Sequence, residues 1–197
     1  MKLYDISQEL FSCAVYPGDP APKKEILSST ESGDLYNLTA FSMCAHNGTH
    51  VDAPFHFIGN GKKIDELSLS SLVGYAYVLT HNGVITECDA ENMISLIKES
   101  SPRAVKRILV KGKAELSLAA AERLAKEEIY LFGNESQTVG PENAPMEVHK
   151  VLLGANVVLL EGIRLSEVED GEYILFAAPI NLAGADGAPC RAVLMKI

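Results

Sequence analysis

Residues 44–57 read Cys-Ala-His-Asn-Gly-Thr-His-Val-Asp-Ala-Pro-Phe-His-Phe, and three of the chain's five histidines fall within them, joined by one aspartate. Imidazole and carboxylate together suit a divalent cation, Zn²⁺ best, with Mn²⁺, Fe²⁺ or Co²⁺ possible. His50, Asp52, Pro54 and His56 share parity, so an extended backbone would present them on one face. Residues two apart on such a strand lie ~7 Å apart at Cα, near enough for His50 and Asp52 to hold one ion. His46 would stand ~13 Å from His50 on a straight strand, too far to share it comfortably. Gly48 lies midway and can fold the chain back, whereas Asn47-Gly48-Thr49 is poor helix material. The expectation is a turn leading into an extended run, with Pro54 stiffening the backbone that aims His56. Taken singly, each histidine reads as a hydrogen-bonded structural residue. As a set of four side chains they read as a metal site with one position open to water.

Further ligands must come from elsewhere, and His149 and Glu161 are the best placed. His149 lies early in a helix that Pro145 can open and Gly154 can stop. Glu161 ends the strand that follows, and that strand must run back beside the helix, bringing its end to the helix's opening turns. A carboxylate in Val-Val-Leu-Leu-Glu-Gly-Ile is abnormal, because burying it without a partner costs several kcal/mol. A metal, a buried arginine and a backbone donor all remain open as that partner. Cys44 reads as a small buried residue, with a thiol nucleophile or an extra ligand as alternatives. His81, beside Asn82-Gly83, reads as a solvent-facing turn residue. No G-x-S-x-G elbow is present, and Gly59-Asn60-Gly61-Lys62-Lys63 lacks the spacing of a phosphate loop.

The elements that must position these side chains are mostly strands. Apolar runs punctuated by Gly, Asn or Pro predict strands over 3–7, 35–43, 72–80, 105–111, 129–132, 156–160, 173–178 and 191–196. Helices are expected over 89–99, capped by Asp89, over 117–126, capped by Ser117, and over 145–154. Strands dominate and do not alternate regularly with helices. The fold class expected is therefore α/β, one mixed β-rich domain over 1–197, not a doubly wound parallel sheet. At 197 residues, 47% apolar and 22% charged, the chain has the composition of an ordinary globular protein. A formal charge of −9 argues against a nucleic-acid partner, which needs clustered Lys and Arg. The first ten residues lack the unbroken apolar stretch of a secretory signal. The run 173–185 is broken by Pro179 and Asn181 and is too short to span a bilayer. No membrane partner and a cytoplasmic location are expected. The four cysteines are far apart and read as reduced, buried thiols.

His-Asn-Gly-Thr-His-Val-Asp-Ala-Pro-Phe-His resembles the H-x-G-T-H-x-D-x-P-x-H signature of the putative cyclase family, which includes bacterial kynurenine formamidases and isatin hydrolases. The likeness extends over nearly the whole chain. It takes in Asp5-Ile6-Ser7-Gln8-Glu9-Leu10, the Tyr16-Pro17-Gly18-Asp19 turn, the His149-to-Glu161 spacing and Leu182-Ala183-Gly184-Ala185-Asp186-Gly187-Ala188-Pro189. The resemblance implies that His46, His50 and Asp52 bind one metal, while Asp52 and Glu161 bridge to a second completed by His149. It implies His56 as general acid/base, two divalent ions (Zn²⁺ first, Mn²⁺ possible), a swivelling β/β/α domain and a homodimer or higher homo-oligomer. The substrate it implies is a small amide: an arylformamide such as N-formylkynurenine in tryptophan catabolism, with Tyr16 against its ring, or a cyclic amide such as isatin. A non-catalytic metal- or ligand-binding protein is the competing class. Two departures bear on substrate. Tyr16 stands where the formamidases often have Trp, and Phe132-Gly133-Asn134-Glu135-Ser136 replaces G-x-D-x-x-S.

Overall fold

The central half of the chain alternates strand and helix, and antiparallel strands from both ends flank it. The structure, a computed structural model, describes residues 1–196. Nine strands form one sheet: β1 Lys2–Asp5, β2 His50–Asp52, β3 Val73–Thr80, β4 Arg107–Lys111, β5 Leu131–Asn134, β6 Val158–Glu161, β7 Gly171–Phe176, β8 Gly187–Pro189 and β9 Val193–Lys196. Their order across the sheet is β1-β9-β7-β3-β4-β5-β6-β2-β8. Strands β3 to β6 are parallel neighbours. Parallel strands cannot be joined by a tight turn, and the helices α1 Glu87–Ser100, α2 Leu118–Lys126 and α3 Met146–Gly154 supply the three crossovers. All other pairings in the sheet are antiparallel.

The mixed α/β class expected from the sequence is the one observed, and each of the eight expected strands has a counterpart. The expected lack of regular alternation holds for the flanks. From Val73 to Glu161 the strands of the main sheet do alternate with helices, with two short strands, Gly83–Ile85 and Ala114–Leu116, interposed. Two helix starts also differ. Thr86, not Asp89, caps α1: its Oγ1 accepts from the Asp89 N–H at 3.2 Å, while the Asp89 carboxylate accepts from the Thr86 N–H at 2.9 Å. This reciprocal pair is a capping box and starts the helix earlier. Pro145 flanks α3 instead of entering it, and Met146 is the first helical residue.

Alternation along each strand splits the core in two. Ile108, Val110, Phe132 and Leu159 face the layer of helices, packed with Ile94, Leu124, Leu152 and their neighbours. Val51, Leu109, Leu131, Val158, Leu160 and Leu175 face the other way into a second cluster. Strand β6 is buried along its whole length, as expected of a strand covered on both faces. Two ribbons stand outside the sheet. One is an antiparallel pair, Lys23–Ser28 with Leu38–Ser42, in which no residue is buried. The other is a parallel pair, Gly83–Ile85 with Ala114–Leu116. No helix among the described residues is long and apolar enough to cross a membrane.

Candidate metal centre

The site forms where the parallel part of the sheet meets its antiparallel edge. Strands β6 and β2 run antiparallel, with Glu161 opposite His50 and Leu159 opposite Asp52. Leu159 belongs to the helix-facing core, so its same-face neighbours Glu161, His50 and Asp52 also point toward the helices. His149, the fourth residue of α3, meets them there. The helix and the returning strand thus bring two residues twelve apart together: His149 Nε2 lies 3.1 Å from Glu161 Oε1.

The turn expected at Gly48 is present, with φ of +66° at that residue. A side chain there would crowd Cys13, whose Cβ would lie 3.1 Å from the new carbon, so glycine serves both the conformation and the close approach. The turn returns His46 to its neighbours. His46 Nδ1 is 2.8 Å from Asp52 Oδ1, and His50 Nε2 is 3.3 Å from that same oxygen. His50 Nε2 also lies 3.4 Å from Glu161 Oε2. The other Asp52 oxygen, Oδ2, lies 3.7 Å from His149 Nε2. Asp52 therefore shows one oxygen to His46 and His50 and the other to His149.

The extended run stops sooner than the parity of His50, Asp52 and His56 suggests. Strand β2 ends at Asp52, and Pro54–His56 forms a 3-10 turn with Pro54 at its start. Proline has no N–H to continue a ladder, and its fixed φ suits the first position of a helical turn. It is this turn that delivers His56, whose ring stacks on that of His46 at 4.1 Å between centroids.

Sequence reasoning missed Asp186. Its Oδ2 sits 2.9 Å from His46 Nε2 and 3.1 Å from His56 Nδ1, so one carboxylate oxygen touches both rings. The available signal was an isolated acid in a run of small residues, Ala183-Gly184-Ala185-Asp186-Gly187-Ala188. The smallness has a reason: a Cβ at Gly187 would come within 2.6 Å of His46 Cε1. Of the partners open to Glu161, a backbone donor is present, the Val139 N–H at 2.9 Å. The buried Arg107 is engaged elsewhere, donating to the carbonyls of Ser70, Ser71, Val73 and Tyr75. Tyr16 lines the same cavity of about 430 Å³ as His46, His56 and His149, and its hydroxyl donates to the Glu142 carbonyl at 2.9 Å. Cys44 stands on the cavity wall half-buried, not in the core, and all four thiols are free with Cys88 exposed.

These side chains fit a cation on three counts. His46, His50 and Asp52 place one ligand atom each within 4.8 Å of one another, and so do Asp52, His149 and Glu161, and the less buried His46, His56 and Asp186. Ligands held tetrahedrally at about 2.1 Å from an ion stand roughly 3.4 Å apart, close to the spacings above. The imidazoles are also aimed. His50 Nδ1 donates to the Gly48 carbonyl at 3.0 Å and His149 Nδ1 to the Pro145 carbonyl at 2.8 Å, which leaves both Nε2 lone pairs facing the carboxylates. Finally, the pocket demands positive charge. Burial opposes the protonation of His50, yet hydrogen bonds to Asp52 and Glu161 push it up to about 10. His149 is pushed up to about 9 against the same burial, chiefly by Glu161. Burial would raise the Asp52 carboxyl, but His46 and His50 hold it well below the usual carboxylate range.

The sequence from residue 4 to 141 matches the model of the putative cyclase family. Relatives cover the whole length. The kynurenine formamidase of Bacillus anthracis is 33% identical over 214 residues, spanning 100% of this chain and 98% of its own. That of Bacillus cereus strain ATCC 14579 is 34% identical over 203 residues, spanning 98% of this chain and 97% of its own. Among solved structures, one described as a potential metal-dependent hydrolase with cyclase activity superposes with a TM-score of 0.80 at 28% identity, covering 98% of this chain and 96% of that one. Isatin hydrolase A from Labrenzia aggregata superposes at 0.81 with 21% identity, covering 98% and 93%, and shares the fold. The chain belongs to the putative cyclase family.

Proposed function

We propose that this protein is a metal-dependent hydrolase of amide C–N bonds, with His46, His50, Asp52, His149 and Glu161 holding two divalent cations and His56 as the general acid/base. The observation that carries the reading is the pair of ligand triads that share the buried Asp52 and meet a cavity through His46, His50, His149 and Glu161. Zn²⁺ is the first choice for such a donor set and Mn²⁺ the second. A cation bound there would acidify water towards neutrality and polarise a substrate carbonyl. The remaining work falls to the chain. The hydrogen bond between His56 Nδ1 and Asp186 leaves Nε2 as the free base. His56 takes the proton of the attacking water and hands it to the departing nitrogen as the C–N bond breaks.

The substrate proposed is an arylformamide, N-formylkynurenine first, cleaved to formate and the aryl amine in tryptophan catabolism. Full-length identity of 33–34% to kynurenine formamidases supports this, as does Tyr16 on the cavity wall, an aromatic surface for the ring. The test is metal analysis of the purified protein with an assay panel of N-formylkynurenine, isatin and simple aryl formamides. Divalent metal and turnover of N-formylkynurenine above isatin are expected. A metal-loaded protein that opens isatin but leaves every formamide intact would overturn the substrate, and one inert to all would overturn the catalytic reading.

The proposal includes a homodimer or higher homo-oligomer in the cytoplasm. The ribbon of residues 23–42 supports assembly: Ile26, Leu27, Leu38 and Phe41 are all exposed on it, and an unsupported two-stranded ribbon is marginal in water. Four free thiols fit a reducing compartment.

A further inference from the structure

A second cavity of about 550 Å³ adjoins the first, and Tyr16, Gln137 and Thr138 line both. Its far wall is the parallel ribbon Gly83–Ile85 with Ala114–Leu116. Alternation turns Ala114 and Leu116 into the helix-facing core and leaves Lys113 and Glu115 on the opposite face, toward the cavity. Neither Lys113 nor Glu115 makes a side-chain ion pair or hydrogen bond with any described residue. Glu135, on the same wall, is committed otherwise, since its two oxygens accept from the N–H groups of Gly112 and Leu165. The partition between the cavities is also unfinished. Gln137 donates from Nε2 to the Gly48 carbonyl, but its Oε1, like the Thr138 hydroxyl, is buried without a partner. Buried polar atoms are paired in the great majority of cases, and an unpaired set wants an explanation.

We infer that the second cavity is a subsite for a zwitterionic tail carried by the substrate. Lys113 takes the tail's carboxylate and Glu115 its ammonium group. Gln137 Oε1 and the Thr138 hydroxyl bind the polar atoms that cross the partition. The inference rests on the proposed function, and it assigns Lys113 and Glu115 to the amino-acid tail of the substrate proposed there. A free carboxylate and a free ammonium a few bonds apart match an unpaired cation and an unpaired anion on one strand face. A simple aryl formamide would fill only the metal cavity and leave those groups idle.

The experiment compares N-formylkynurenine with formanilide, which has the ring and formamide but no tail, on the metal-loaded enzyme. Lys113→Met and Glu115→Gln should each raise KM for N-formylkynurenine about tenfold with kcat within about twofold, and leave formanilide kinetics unchanged. Lys113→Arg should restore most of the loss. Calorimetric binding of the product kynurenine should weaken about tenfold in Lys113→Met, a readout that needs no turnover. If wild type hydrolyses N-formylkynurenine and both variants match it in KM, the subsite is refuted while the hydrolase reading stands. If turnover is absent but kynurenine still binds in a Lys113-dependent way, the hydrolase reading fails and the subsite survives.

Discussion

At the scale of single residues, His56 separates catalysis from metal retention. His56→Ala should keep the metal content of the wild type and lose roughly 10²–10⁴-fold in kcat, the usual worth of a positioned acid/base. A non-catalytic binding protein would have no turnover to lose. Asp186 touches no reacting atom and acts by holding the His56 ring and, through the same oxygen, the ring of His46. Asp186→Asn should lower kcat roughly 10–100-fold, as loss of a supporting hydrogen bond does. Added to His56→Ala, it should cost less than it does alone, because the part that acts through His56 is already lost while the contact with His46 remains. Full additivity in the double variant would show that Asp186 works through His46 and not through His56. Most of this site was legible before folding. Three histidines and an aspartate in eleven residues are too dense for scatter, and Glu161 was conspicuous as a charge in a buried strand. Asp186 was not legible, because an acid among Gly and Ala looks like a loop residue. Its importance comes from Gly187 letting His46 approach, which is a fact about space and not about residue type.

At the scale of elements, the capping of α1 offers a test free of the site. Thr86→Ala removes the reciprocal pair with Asp89 and should destabilise the protein by about 1 kcal/mol, read as a lower midpoint in thermal or urea unfolding. Activity should not change, since α1 contributes no residue to the cavity. A loss of turnover at full folding would contradict the separation of helix layer and site. The long apolar runs that became β3 to β7 were readable because strands buried on a face must be continuous or alternating. What escaped were short or charged strands. Lys23-Lys24-Glu25 begins a ribbon with no buried face, so no apolar pattern marks it. Strand β8 holds only Gly187–Pro189 and owes its existence to its neighbour β2. The run from His50 to His56 was overextended for a local reason, Pro54, whose turn-forming role competes with its stiffening one.

At the scale of the molecule, metal and assembly should both register in stability. A ligand that binds only the folded state at a hundredfold excess over its Kd stabilises by about 2.7 kcal/mol. Stripping metal with EDTA should therefore lower the melting midpoint by roughly 5–10 °C, and added Zn²⁺ should restore it. An unchanged midpoint would argue that no cation occupies the triads that share Asp52. In sedimentation equilibrium the protein should run at twice the 21.2 kDa of one chain or more. The double variant Leu27→Ser, Phe41→Ser should run as one chain with its far-UV spectrum retained. A wild-type protein of monomer mass would remove the ribbon as an assembly surface. None of the sheet order was readable, because pairings such as β1 with β9 join opposite ends of the chain and leave no local trace. The same distance governs biosynthesis. The pocket draws on the stretch around His50, on His149 and Glu161 more than ninety positions later, and on Asp186 close to the C-terminus. A chain emerging from the ribosome cannot assemble the proposed ligand set until Glu161 has been made and its strand has paired with that of His50, so cation capture must wait for these distant stretches to meet.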